Sequence, residues 1–309
     1  MGKTAWVFPG QGSQYVGMGK SAAEADPQAR ALLEKASELL GYDLAALCWD
    51  GPEEKLKQTV HTQPAVLTVS TMLSTILRSR GLVPDVVAGH SLGEYSALVA
   101  AGSLDFETAV TLVARRGQLM EQAVPDGKGT MAVLLGLDYQ QVAAICREAA
   151  QGEVVEPANL NCPGQIVISG HRAAVERAMA LGAEQGAKRV VELDVSGPFH
   201  SSLMRPAAEE FAGDLAEAVF RDPEIPVIAN ASADYVKHAD DIRRALVKQL
   251  YSPVRWEETV QKLVAEGVDV FVEVGPGKVL SGLIKRISRS VTVISFQDME
   301  GLEKVLEMV

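Results

Sequence analysis

Cysteine is scarce in this sequence. Only Cys48, Cys146 and Cys162 occur among 309 residues, and they are widely spaced. Three scattered cysteines suit reduced thiols better than a disulfide framework or a metal site. We therefore expect a cytoplasmic protein with no metal centre.

Basic charge and long apolar runs are also lacking. The 29 lysine and arginine residues are outnumbered by 40 aspartate and glutamate residues, and the formal net charge is -11. A nucleic-acid-binding protein usually shows the opposite balance. No apolar run reaches the roughly 18 residues that a membrane-spanning helix needs. The N-terminal apolar run ends at Pro9, too early for a signal peptide, and Trp6 breaks the myristoylation pattern. We expect neither nucleic acid nor a membrane as a partner.

Hydrophobic residues, in contrast, make up 47% of the chain, which is enough for a sizeable core. Apolar runs and helical spacing alternate along the first 124 residues. This alternation predicts an α/β fold with a mostly parallel sheet. The predicted strands are 4–10 and 85–89, and the predicted helices are 31–41, 64–81, 92–102 and 105–124, with Pro64 opening its helix.

Residues 125–197 show a different order of elements, namely strand, helix, two strands, helix and strand, which is typical of a ferredoxin-like unit. We predict a small domain at 125–197 inserted into a large domain formed by 1–124 and 198–309. The small domain's strands are predicted at 129–138, 154–161, 165–170 and 188–195, and its helices at 139–150 and 172–186. The large domain then continues with helices at 203–220, 240–251 and 256–266, strands near 226–230 and 269–274, and a helix after the glycine-proline turn within 273–288.

The segment GHSLGEY (89–95) carries the strongest chemical signal. A serine between two spaced glycines, after a strand and before a helix, is the pattern of a nucleophile elbow. Gly89 and Gly93 remove side chains that would clash in such a sharp turn. The helix start would then favour the negative charge that develops during attack by Ser91.

A serine nucleophile needs a base, and the chain has five histidines. His200 lies where the chain returns from the small domain to the large one, a place where clefts often form. The other four fit less well: His90 is expected to point away from Ser91, His171 and His238 to be solvated, and His61 to be held by local packing. His200 is therefore the candidate base.

Six ordered blocks carry a family resemblance that spans almost the whole chain. They are FPGQGSQ (8–14), GHSLGEYSALVAAG (89–102), RRGQLM (115–120), GPFHSSLM (197–204), QLYSPVRW (249–256) and EVGPGKVLSGL (273–283). The chain resembles the malonyl-CoA:acyl carrier protein transacylases, which are related to the acyltransferase domains of polyketide synthases. The resemblance implies an α/β-hydrolase-like large domain with an inserted ferredoxin-like (βαββαβ) small domain.

The resemblance also implies roles for individual residues. Ser91 would carry the acyl group, and His200 would act as general base and then as acid. The main-chain carbonyl of Gln249 would orient His200 in place of a triad aspartate. Backbone N–H groups of Gln11 and Leu92 would form the oxyanion hole.

The substrate side of the site is implied in the same way. The guanidinium of Arg116 would bind the free carboxylate of a malonyl group and so select malonyl over acetyl. Phe199 would limit branching at the α-carbon. Asn159 and Asn161 are either substrate contacts or turn residues beside a Cys-Pro-Gly segment, and Arg115 is expected to be an exposed helix residue.

The implied reaction is a ping-pong transfer of malonyl from malonyl-CoA to the phosphopantetheine thiol of holo acyl carrier protein. It needs no cofactor. Because carrier proteins are generally acidic and this chain is acidic too, a local basic patch is expected at Lys285, Arg286 and Arg289 or at Lys188 and Arg189. The resemblance implies a monomer.

Two rival functions share part of this pattern. A serine thioesterase or other hydrolase would use Ser91 and His200, but it would not account for Arg116, and the chain has neither an HGGG motif nor a clear acid placed between Ser91 and His200. A non-catalytic thioester- or carrier-binding module would not need the reactive residues.

Overall fold

The computed structural model describes residues 2–125 and 127–308. A six-stranded sheet forms the centre of the large domain, in the order β10-β9-β1-β2-β7-β8. Every neighbouring pair in it is parallel except β7 and β8. Its strands are β1 (Lys3–Phe8), β2 (Val86–Gly89), β7 (Val227–Ala229), β8 (Asp234–Val236), β9 (Val268–Val274) and β10 (Thr292–Phe296).

Helices cover both faces of this sheet, and the sequence of β1 shows why. Trp6 and Phe8 belong to one buried cluster, whereas Ala5 and Val7 belong to another on the opposite face. A strand that is apolar on both faces is typical of a parallel sheet with helices on each side. The helices of the large domain are α1 (Lys20–Ala25), α2 (Pro27–Leu40), α3 (Leu44–Asp50), α4 (Glu53–Leu56), α5 (Thr59–Ser79), α6 (Gly93–Ala100), α7 (Phe106–Gln122), α10 (Arg205–Glu217), α11 (Ala239–Leu250), α12 (Trp256–Ala265), α13 (Val279–Ile287) and α14 (Leu302–Met308).

A second, antiparallel sheet has four strands in the order β4-β5-β3-β6. Its elements are β3 (Gly129–Leu135), α8 (Tyr139–Ala150), β4 (Val155–Cys162), β5 (Gln165–His171), α9 (Arg172–Glu184) and β6 (Arg189–Glu192). The edge strand β4 also reaches the large domain, because Asn159 and Val254 form a parallel bridge. This bridge brings the small sheet against the carboxyl end of the large one.

The predicted fold class is confirmed, with a mostly parallel large sheet and a βαββαβ small unit. The small unit's elements lie between residues 129 and 192, inside the predicted range 125–197. Residues 1 and 309, at the predicted domain limits, and residue 126 beside the boundary lie outside the described residues. No helix of the described chain is long and apolar enough to cross a membrane.

One predicted helix start was wrong. Pro64 does not open its helix, because α5 begins at Thr59 and includes Pro64 in its interior. Proline costs a helix one backbone hydrogen bond, and packing compensates for it here. The turn before Pro64 lies against Gly117 of α7, where an added Cβ would be 3.0 Å from Val60 Cα. Strands β8 and β10 were not predicted, and the predicted helix 203–220 is a short 3₁₀ turn followed by α10.

Candidate active site

Ser91 lies in a strained turn between β2 and α6. Its backbone is left-handed, with φ 52°, a conformation that non-glycine residues rarely adopt. The two flanking glycines make the turn possible. A Cβ on Gly93 would lie 2.0 Å from Phe8 O, and a Cβ on Gly89 would lie 1.9 Å from the Gly93 carbonyl. Strain of this kind is found at functional sites, where surrounding structure holds it in place.

The structure brings three of the predicted catalytic residues together. Ser91 Oγ lies 2.8 Å from His200 Nε2. On the other side of the ring, His200 Nδ1 lies 2.8 Å from the main-chain oxygen of Gln249. If Nδ1 donates to that carbonyl, Nε2 is free to accept the proton of Ser91. The arrangement is a serine–histidine pair oriented by a backbone carbonyl.

His200 is held in its neutral form by its surroundings. Burial and the positive charge of Arg116 lower the pKa of His200 to about 3, against the hydrogen bond from its ring to the Gln249 carbonyl. The residue is 3% exposed and, like Ser91, has a left-handed backbone. A neutral imidazole beside a serine hydroxyl can accept a proton.

Arg116 lies on α7 and is 1% exposed, yet it reaches the reactive serine. Its Nη2 donates to Ser91 Oγ at 3.2 Å and to Gln249 Oε1 at 2.9 Å, and its Nη1 donates to Gln63 Oε1 at 2.8 Å. The guanidinium also lies over the Tyr95 ring, 5.6 Å from its centre. None of these partners is a carboxylate. The positive charge beside Ser91 is therefore hydrogen-bonded only to neutral amide and hydroxyl oxygens.

The loop after β1 passes directly against the elbow. A Cβ on Gly10 would lie 2.5 Å from His90 O, so only glycine permits this close approach. Gln11 and Leu92 both line the cavity at Ser91. Neither of their N–H groups donates a hydrogen bond to another group within residues 2–125 and 127–308. Both N–H groups are thus available as donors, as the predicted oxyanion hole requires.

The cavity itself has a volume of about 190 Å³ and lies between the two domains. Phe199, Asn159 and Asn161 line it, and all three are largely buried. Asn161 Oδ1 lies 2.8 Å from His90 Nε2, so His90 orients this amide and does not contact Ser91 Oγ. The predicted substrate residues therefore line the same cavity as Ser91 and His200.

The remaining candidates lie elsewhere, and His171, which was expected to be solvated, is half-buried. His61 packs edge-on against Tyr42, His238 pairs with Asp222 at the surface, and the ring of His171 accepts a hydrogen bond from Val154 N. Arg115 pairs with Glu210 and Asp214. The three cysteines are free and buried, and no cluster of three potential metal ligands occurs among the described residues.

Three polar residues of the site were not predicted from the sequence. Asn230 Oδ1 accepts from Ser91 N at 2.6 Å, and its Nδ2 donates to Gly89 O at 2.5 Å, so it ties both sides of the elbow. Glu94 accepts from Asn230 N and Gln249 Nε2, and Gln63 binds Arg116. Asn230 follows β7, the neighbour of β2, and a polar residue at the carboxyl end of a predicted strand was the available signal.

Comparison with known proteins agrees with this geometry. A family model described as "Acyl transferase domain" matches residues 5–304. The malonyl CoA-acyl carrier protein transacylase of Bacillus subtilis is 49% identical, over 99% of this chain and 97% of its own length. An acyl carrier protein S-malonyltransferase from Vibrio cholerae has a TM-score of 0.96 and 52% identity, over 98% of this chain and 99% of that one.

A third relative was solved together with its partner. It is a malonyl-transacylase in complex with a type II PKS acyl-carrier protein, with a TM-score of 0.97 and 47% identity over 99% of this chain and 100% of that one. Sequence similarity of this extent, with a matching fold, is beyond what a shared elbow motif would give. The chain therefore belongs to the acyl transferase domain family, among the malonyl CoA-acyl carrier protein transacylases.

Proposed function

We propose that this protein transfers a malonyl group from malonyl-CoA to the phosphopantetheine thiol of holo acyl carrier protein. The observation that carries the proposal is the buried guanidinium of Arg116, 3.2 Å from Ser91 Oγ and hydrogen-bonded only to neutral groups in the described chain. A cation in this position can bind the terminal carboxylate of a malonyl group that is esterified to Ser91. An acetyl group would leave the cation without a counter-charge.

The first half-reaction acylates the enzyme. Ser91 Oγ attacks the thioester carbonyl of malonyl-CoA while His200 Nε2 takes the hydroxyl proton. The carbonyl oxygen becomes negative and is stabilised by the N–H groups of Gln11 and Leu92. The carbon–sulfur bond then breaks, the coenzyme A sulfur takes the proton from His200, and a malonyl-serine ester remains.

The second half-reaction reverses these steps with a new thiol. The phosphopantetheine thiol of the carrier gives its proton to His200 and attacks the ester, and the proton returns to Ser91 as the ester bond breaks. Thioester, ester and thioester have the same oxidation state at the carbonyl carbon. No electron is transferred, and the protein's own side chains and N–H groups carry every step above, so the proposal includes no metal and no redox cofactor.

Partner and location follow from the same proposal. The carrier belongs to fatty acid or polyketide synthesis, and we expect the enzyme to act in the cytoplasm as a monomer. We propose that its docking surface lies at the mouth of the cavity and uses one or both of the predicted basic segments. Gln165 lines the cavity and accepts from Arg286 Nη1 at 2.7 Å. Gln165 and Arg189 are both paired with Leu135 in the small sheet, on opposite sides of β3.

A mass measurement on the intact protein tests the function. Brief exposure to malonyl-CoA should add one malonyl group, and a chase with holo acyl carrier protein should move that group to the carrier. Ser91→Ala should form no adduct because the nucleophile is gone. Arg116→Ala should lose most malonylation and keep its weak acetylation, since acetyl makes no use of the cation.

The same measurement separates the rival functions. An adduct that water removes as quickly with or without the carrier would favour a thioesterase. Failure of the wild-type protein to form any acyl-enzyme would favour a non-catalytic binding module.

A further inference from the structure

Glu94 is a buried acid for which the transfer chemistry has no direct use. It lies in the first turn of α6, three residues after Ser91, and is 2% exposed. Burial raises the pKa of Glu94 to about 7, although hydrogen bonds from Asn230 and Gln249 and the charge of Arg116 act to lower it. A buried carboxylate costs free energy unless its hydrogen bonds compensate. Its contacts therefore indicate what it does.

Both hydrogen bonds to Glu94 converge on a single oxygen. Oε2 accepts from Gln249 Nε2 at 2.7 Å and from the main-chain N–H of Asn230 at 3.0 Å. Asn230 in turn binds both sides of the elbow. Glu94 thus holds the residue that clamps the nucleophile and the residue that orients the base.

The contact with Gln249 also decides which way the Gln249 amide faces. Nε2 donates to two acceptors, Glu94 Oε2 and Ser91 O, the latter at 3.0 Å. The other end of the amide, Oε1, must then face Arg116, whose Nη2 donates to it at 2.9 Å. Oε2 already accepts the main-chain N–H of Asn230, which cannot turn round, so this oxygen remains an acceptor and excludes the flipped amide, which would present N–H groups to the guanidinium.

We propose that Glu94 is a positioning residue that fixes Arg116 beside Ser91 through the side chain of Gln249 and thereby sets the preference for malonyl over acetyl. The inference rests on the proposed function. The inference assigns a role in substrate preference to a residue that contacts neither the substrate nor the side chain of Ser91. Glu94 acts through one acceptor oxygen, Oε2, and this role does not require a negative charge on the side chain.

The test is the ratio of kcat/KM for malonyl-CoA to kcat/KM for acetyl-CoA. Glu94→Ala should lower this ratio roughly tenfold or more, because the guanidinium loses its fixed orientation and only malonyl depends on it. Glu94→Gln should keep the ratio close to that of the wild type, since glutamine offers one acceptor oxygen in the same place. Glu94→Asp keeps the carboxylate but withdraws it by one methylene group, so it should also lower the ratio. It replaces Glu94→Ala as the test variant if Glu94→Ala does not fold.

Glu273→Ala is the matched control. Glu273 is also fully buried, and its carboxylate accepts from Leu280 N and Ser281 N at the start of α13, away from Arg116 and Gln249. It should lower Tm and leave the ratio unchanged. An unchanged ratio in Glu94→Ala, or an equal loss in Glu94→Gln and Glu94→Ala, would overturn the inference. Wild-type protein that transfers no malonyl would instead refute the proposed function.

Discussion

At the scale of single residues, one charge affects two functions of the site. Arg116 is placed to bind a carboxylate, and it is also the charged group that most strongly lowers the pKa of His200. Burial is the larger cause of the low pKa of His200, and the like charge of Arg116 adds to it, so His200 stays neutral well below its ordinary titration range. A bound malonyl carboxylate would offset the charge of Arg116, so the base would become stronger when the preferred substrate is present.

This coupling predicts a change in pH dependence. For wild-type protein and acetyl-CoA, kcat/KM for acylation should stay level as pH falls from 7 toward about 4, since kcat/KM reports the free enzyme. In Arg116→Met the repulsion is absent, and the pKa of His200 rises toward its ordinary value. Burial is the larger cause of the low pKa and remains, so the fall in rate should begin at a higher pH than in the wild type but below the ordinary titration range of histidine, as the protonated imidazole cannot accept the serine proton.

Acetyl-CoA is the right substrate for that comparison because its binding does not depend on Arg116. Arg115→Met, next to Arg116 on α7 but paired with Glu210 and Asp214, is the control and should keep the wild-type profile. If kcat/KM for acetyl-CoA falls at the same low pH in the wild type and in Arg116→Met, burial alone holds His200 neutral.

At the scale of elements, the elbow is a joint between a strand and a helix that packs with almost no spare space. The carbonyl of Phe8 on β1 lies where a side chain of Gly93 would begin. The strain at Ser91 is supported from β7 through Asn230. The nucleophile is therefore placed by three neighbouring strands of the large sheet.

Gly93→Ala should consequently disrupt the turn between β2 and α6. The added methyl group would lie 2.0 Å from a backbone atom, which cannot move aside as a flexible side chain can. We expect a loss of about 3 kcal/mol or more in stability, a fall in Tm of roughly 5 °C or more, and loss of acyl-enzyme formation. Thermal unfolding and intact mass measure these effects.

Gly213→Ala on α10 is the control for this substitution. No atom lies within 4 Å of a Cβ at Gly213, and its φ is not left-handed. Alanine should be neutral or stabilise the helix by up to about 1 kcal/mol. Wild-type stability of Gly93→Ala would show that the elbow can open without cost.

The turn that carries Ser91 could be predicted from local sequence patterns. The contacts that depend on strand pairing and helix packing could not. Strand, glycine turn and helix are adjacent in sequence, so the position of Ser91 followed from the pattern. Asn230 reaches Ser91 only because β7 pairs with β2, an order that no local signal contains. The true start of α5 was missed because packing against Gly117 outweighs the local cost of Pro64.

At the scale of the whole molecule, the local charge of one region is opposite in sign to the net charge of the chain. The chain is strongly acidic, yet five basic side chains in the small domain and on or just after α13 are exposed, namely Lys188, Arg189, Lys285, Arg286 and Arg289. None of them forms an ion pair in the described part of the chain. Unpaired cations beside the cavity suit a strongly acidic partner.

Charge reversal tests that surface. Arg189→Glu combined with Arg286→Glu should raise KM for holo acyl carrier protein roughly tenfold, about 1.4 kcal/mol, and the effect should shrink as salt is added. Acylation by a short malonyl thioester that lacks phosphates should not change, since the cavity is intact. Lys35→Glu on α2, outside the patch, should leave both steps unaffected. An unchanged KM for the carrier in the double variant would place docking on another face of the molecule, and the basic side chains would then only keep the mouth of the cavity hydrated.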